Sequence, residues 1–76
     1  MGNHTKQNKK ITFRTKEGTF IVYPPNDGRL SVKVERTAKG QLISIGYFEI
    51  ATKEWHVIQG MKVPFGVQYV IEQQYA

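Results

Sequence analysis

The sequence predicts an α+β fold: a twisted antiparallel sheet of four or five strands in meander order, with one C-terminal helix. Three observations carry that prediction. Leu30, Val32 and Val34 alternate with Arg29, Ser31, Lys33 and Glu35, and a period of two marks a strand with one face in a core and the other in water. Turn chemistry recurs between such runs, at "KEG", "PPNDG" and "TAKG". The last segment changes to helical spacing, with Val67, Val70, Ile71 and Tyr75 on one stripe.

Residues 1–9, "MGNHTKQNK", are polar and basic apart from Met1 and are expected to form a disordered arm. Residues 10–76 then form a single small β-rich domain. The first strand runs from Lys10 to Thr15, with Ile11 and Phe13 inward and Thr12 and Arg14 outward. A three-residue loop, "KEG", follows, in which Gly18 supplies the left-handed residue. Thr19 to Tyr23 returns as a second strand, apolar on both faces as a central strand would be.

Two prolines and Asn-Asp-Gly make "PPNDG" the strongest turn of the chain. The third strand is the alternating run just described, and "TAKG" turns it back with Gly40 at positive φ. In the fourth, "QLISIGYFEI", the inward set begins with Ile43 and Ile45 and ends with Phe48 and Ile50. That is a slip of one residue, and a β-bulge at Gly46 accounts for it. "ATKEW" is read as a tight turn into a fifth strand, Trp55 to Gln59, on the β-branched pair Val57-Ile58. A short helix capped by Thr52, with Trp55, Ile58 and Met61 inward, is the alternative. Pro64 suits the first turn of the C-terminal helix. The expected core is Ile11, Phe13, Phe20, Val22, Leu30, Val32, Val34, Ile43, Ile45, Phe48, Val57, Val67, Val70 and Ile71.

Size and composition bound the function. A 76-residue chain buries only ~60–65% of the surface it exposes when unfolded, so its stability margin is thin. It has no cysteine, hence no disulfide and no thiolate chemistry; a homodimer is one way to complete so small a core. The N-terminus carries no apolar signal segment and no run approaches a membrane span, so a cytoplasmic setting without membrane contact is expected. Residues 1–40 hold nine Lys/Arg against three acids, a net of +6, while residues 41–76 hold two against three, a net of −1. Such asymmetry suggests a polyanionic partner for the first half; a charge of this size also serves solubility alone.

Catalytic patterns are missing. The six acids at 17, 27, 35, 49, 54 and 72 fall mostly in turns or beside a lysine, as solvated charges do, rather than as the convergent pair that acid–base chemistry requires. His4 and His56 are the only imidazoles, and neither has a second ligand at a recognisable spacing. Ser31 and Ser44 lie in mid-strand without a nucleophile elbow. No catalytic residue, metal or cofactor is therefore expected.

The remaining signal is basic residues interleaved with aromatics. Lys9, Lys10, Arg14, Arg29 and Lys33 would hold phosphates, and Tyr23 or Tyr47 would stack bases, the combination used by sheets that bind single-stranded nucleic acid. Four strands followed by a helix in a short basic chain resembles the layout of coactivator-type single-strand binders, which pair as dimers. "SVKVERTAKGQLISIGYF" is similar to the three-stranded DNA-reading sheets of integrase arms and plant transcription factors, whose third strand ends in Gly-x-Phe, as Gly46-Tyr47-Phe48 does here. The Thr that opens the helix two residues later in that pattern is Ile50 in this chain, and no residue role is carried over. The expected function is a non-enzymatic nucleic-acid-binding module. The alternative is a small interaction module, an adaptor or inhibitor, docking on an acidic protein surface.

Overall fold

The computed structural model describes residues 9–25 and 30–75. Five strands, β1 (Ile11–Thr15), β2 (Gly18–Tyr23), β3 (Ser31–Ala38), β4 (Gln41–Glu49) and β5 (Glu54–Val57), precede one helix, α1 (Phe65–Tyr75). They form a single antiparallel sheet in the order β1-β2-β3-β4-β5, each strand beside its predecessor. The meander and its C-terminal helix are thus those the sequence predicts. Most of the arm (1–8) and the turn residues 26–29, Arg29 among them, lie outside the described residues.

Each hairpin is set by local chemistry. Thr15 pairs with Gly18, so the first loop is the two residues Lys16 and Glu17, one shorter than expected. The Thr15 hydroxyl donates to the Gly18 carbonyl at 2.8 Å and accepts from Glu17 N at 3.1 Å. Gly18 has the expected positive φ (134°) and also permits a close approach: a Cβ there would stand 2.8 Å from the Thr37 carbonyl oxygen. Lys39 and Gly40 both have positive φ (51° and 80°), the pattern of a two-residue type I′ turn whose twist matches the flanking strands.

The β4 slip is real. Val34 pairs with Gly46 but Glu35 pairs with Ser44, leaving Ile45 as the extra residue. The bulge brings Ile45 and Phe48 to the same buried face. No side chain fits at Gly46, because a Cβ would run into the backbone of β5 at His56 and Val57.

One face of the sheet is the core. Phe20, Val22, Val32, Val34, Ile45 and Phe48 are buried on it beneath Val67 and Ile71 of α1, with Val63 from the preceding loop. Ile11, Phe13, Ile43, Ile50, Trp55, Met61 and Tyr75 pack around this cluster. Trp55 leans on Phe48, ring centroids 5.0 Å apart, and donates its indole N–H to Glu72 of α1 at 2.8 Å. Gln68 closes the helix start, with its side-chain amide donating to the Val63 carbonyl at 2.7 Å.

Three expected core residues are not in it. Leu30 is 60% exposed, because it precedes β3 and its carbonyl accepts from Ile50 N at the sheet margin. Val57 is 38% exposed, because β5 is the open edge of the sheet. Val70 is only half-buried, since the inward stripe of α1 runs through Val67, Ile71 and Tyr75 at intervals of four. Val63 was missed because it lies in a loop, where periodicity gives no signal. The fifth strand is present but stops at Val57 rather than Gln59, and Gly60 follows at positive φ (86°).

Candidate nucleic-acid interface

The outer face takes the alternate residues of the same strands. Tyr23 pairs with Lys33, Lys33 with Tyr47, and Tyr47 with His56. Four side chains from β2 to β5 therefore stand in one row across the sheet, about 14 Å long at the usual strand spacing. Lys10 extends the row past β1, its ammonium 5.8 Å from the centre of the Tyr23 ring, within reach of a cation–π contact. At the far end the Tyr47 and His56 rings stack at 4.8 Å with 17° between their planes. The result alternates cation and ring, Lys10, Tyr23, Lys33, Tyr47, with an imidazole behind the last ring.

Of the sequence-predicted site residues, the structure brings Lys10, Tyr23, Lys33 and Tyr47 together. Arg14 is exposed on the same face but lies four residues from Lys10, about 13 Å along β1, where it pairs with Thr19. Lys9 is exposed just before β1. Arg29 falls outside the described residues.

What the sequence reading missed is acidic. Among the described residues, Glu35, Glu49 and Glu54 share this face with Lys10, Arg14 and Lys33, so three carboxylates stand among three cations. The Tyr23 hydroxyl donates to Glu35 Oε1 at 2.7 Å, and Lys33 Nζ lies 3.2 Å from Glu35 Oε2. The hydrogen bond from Tyr23, aided by Lys33, holds the Glu35 carboxyl below its ordinary range against the opposing effect of burial. The same bond, with burial and the Glu35 charge, pushes the Tyr23 phenol up. Lys33 is therefore partly neutralised and Tyr23 is tethered through its hydroxyl. Among the described residues, Lys9, Lys10 and Arg14 form no ion pair.

Charge thus grades across the face. The β1 margin is cationic, while the β4–β5 end carries Glu49, Glu54 and His56, with His56 Nε2 2.9 Å from Glu49 Oε1 and 3.8 Å from Glu54 Oε1. At that β4–β5 end lies an open depression of about 700 Å³ whose lining includes Ser31, Lys33, Ser44, Tyr47 and His56. The parity of β3 already places Glu35 beside Lys33. His56 and its carboxylates required the β4–β5 register, which depends on the four-residue turn 50–53 and on Lys53 at positive φ (60°), a conformation lysine does not announce.

Comparison with known proteins gives no match, neither a family model nor a curated protein nor a solved structure.

Proposed function

We propose that the chain is a non-enzymatic module that binds single-stranded nucleic acid on the outer face of its sheet. The row of Lys10, Tyr23, Lys33 and Tyr47 in one register line carries this reading. Tyr47 is 41% exposed and braced from one side by His56, so its ring is held ready to stack a base. Lys9, Lys10 and Arg14, which form no ion pair among the described residues, supply cations along the β1 margin for phosphates. Tyr23 contributes less, since its hydroxyl is committed to Glu35. With such a partner the cytoplasm is the setting, and among the described residues no helix is long and apolar enough to cross a membrane.

A second reading rests on the charge balance of the same face. The three cations and three carboxylates among the described residues, graded from β1 to β5, also suit a protein surface of complementary polarity. An oligonucleotide titration separates the two. Short single strands should bind at ~50 mM salt, with the logarithm of the affinity falling linearly in the logarithm of salt. Tyr47→Ala should weaken binding by about 1–3 kcal/mol, the usual worth of one stacked base. Changing both Lys10 and Arg14 to Glu should abolish it and leave Tm nearly unchanged, because exposed charges contribute little to stability. A parent protein that binds no oligonucleotide at low salt removes the nucleic-acid reading and leaves the protein surface.

A further inference from the structure

We infer that Glu49, Glu54 and His56 form a zinc-binding site at the β4–β5 end of the outer face. One ligand atom from each, a carboxylate oxygen from either glutamate and an imidazole nitrogen, lies within 4.8 Å of the other two. His56 Nε2 stands 2.9 Å from Glu49 Oε1 and 3.8 Å from Glu54 Oε1. In a tetrahedral zinc site with bonds of about 2.1 Å, ligand atoms are about 3.4 Å apart. The two observed separations bracket that value, and the two carboxylate oxygens lie within 4.8 Å of each other.

Two further features make this more than a group of surface acids. Glu49 and Glu54 are direct cross-strand partners, a placement that costs stability between like charges. Among the described residues no Lys or Arg forms an ion pair with either one. The partner both glutamates share is His56, which as a neutral ligand leaves two negative charges for a divalent cation to balance. The histidine, moreover, is not free to swing: its ring is stacked on Tyr47 at 4.8 Å and 17°, which fixes the plane in which Nε2 points. Both strands of one hairpin therefore hold the donors in place before any metal arrives.

The donor set narrows the choice of ion. One imidazole and two carboxylates suit zinc, whereas calcium and magnesium call for all-oxygen shells with more ligands. Zinc takes the place of the proton between Nε2 and Glu49 Oε1, and that proton leaves to solvent. Three protein donors leave the fourth position for water. Because all three side chains are substantially exposed, the affinity belongs in the micromolar range rather than that of a closed structural site.

Calorimetric titration of the full chain with zinc chloride tests this, with amide chemical shifts followed in parallel. The expected result is one zinc per chain with Kd below about 100 μM, and shifts centred on residues 47–57. At a hundredfold excess over Kd, Tm should rise by about 11–22 °C. His56→Asn and Glu49→Gln should each weaken binding at least tenfold and keep the dispersed spectrum of a folded protein. His4→Asn, which removes the other imidazole, should change nothing. Kd above about 100 μM, shifts elsewhere, or binding that survives His56→Asn and Glu49→Gln overturns the inference. If one variant fails to fold, the other decides.

Discussion

Val32 and Lys33 are neighbours in sequence and stand on opposite faces of the sheet, in surroundings that differ in kind. Val32 is fully buried against Phe48 and the residues of α1. Its position is secured by many small, non-directional contacts, which any apolar residue of similar volume would largely preserve. Lys33 has two cross-strand neighbours, Tyr23 and Tyr47, and one ion partner, Glu35. Each of those relations depends on a particular residue at a particular register position. A core tolerates exchange of its members, whereas a polar row is lost with a single slip of register.

The largest expected effect breaks the inner face. Val32→Asp buries a carboxylate with no partner, a cost of more than about 4 kcal/mol, which is most of the stability of so small a domain. Thr12→Asp puts the same group on the exposed outer face of β1 and should cost less than about 1 kcal/mol. Thermal melting followed by circular dichroism compares the two. A Val32→Asp protein that melts with the parent would mean that the two faces are exchanged.

This contrast also explains what was legible in the sequence. Inward residues announce themselves by alternation, so Phe20, Val22, Val32 and Val34 were readable at once, and even the β4 bulge was visible as a phase slip before Phe48. Leu30 and Val57 fit the same alternation and are nevertheless exposed, because burial also needs a covering element, and neither packs against the core cluster. On the outer face the sequence indicates which residue types are present but not which of them meet. Tyr23, Lys33 and Tyr47 were recognisable as cations and rings. The tether of Tyr23 to Glu35, and the gathering of Glu49, Glu54 and His56, arise from cross-strand register, which no local pattern encodes.

A middling effect sharpens the outer face. Glu35 is held below its ordinary carboxyl range by Tyr23 first and Lys33 next, so its contribution to stability is complete above about pH 4.3. It is lost as pH falls through the depressed value. Tyr23 is pushed above its ordinary value by the same hydrogen bond; its contribution is complete below about pH 10 and is lost as pH rises through the raised value. Tyr23→Phe removes the bond and should destabilise by about 1 kcal/mol near neutral pH, a figure already reduced for solvent screening. The gap between variant and parent melting curves should be widest between about pH 5 and 9, closing below about pH 4. A gap that is constant with pH would mean that the hydroxyl contributes by packing and not through Glu35.

The smallest effect has the opposite sign and uses the same substitution. Tyr75 closes the inward stripe of α1 and packs against the core. Its hydroxyl oxygen is buried, with no hydrogen-bond partner among the described residues, and burial pushes its phenol up. A buried polar group left unpaired loses its bonds to water and gains nothing in return. Tyr75→Phe keeps the ring and discards that group, so it should stabilise by up to about 1 kcal/mol and raise Tm by a few degrees. Because a raised phenol favours the fold only while protonated, the parent should also weaken at alkaline pH more steeply than the variant. One pair of Tyr→Phe proteins therefore separates the faces: loss at position 23, where the hydroxyl has a partner, and gain at position 75, where it has none among the described residues. A Tyr75→Phe protein that melts below the parent would show that the hydroxyl is bonded in solution, and that the inner face carries a polar contact as specific as those outside.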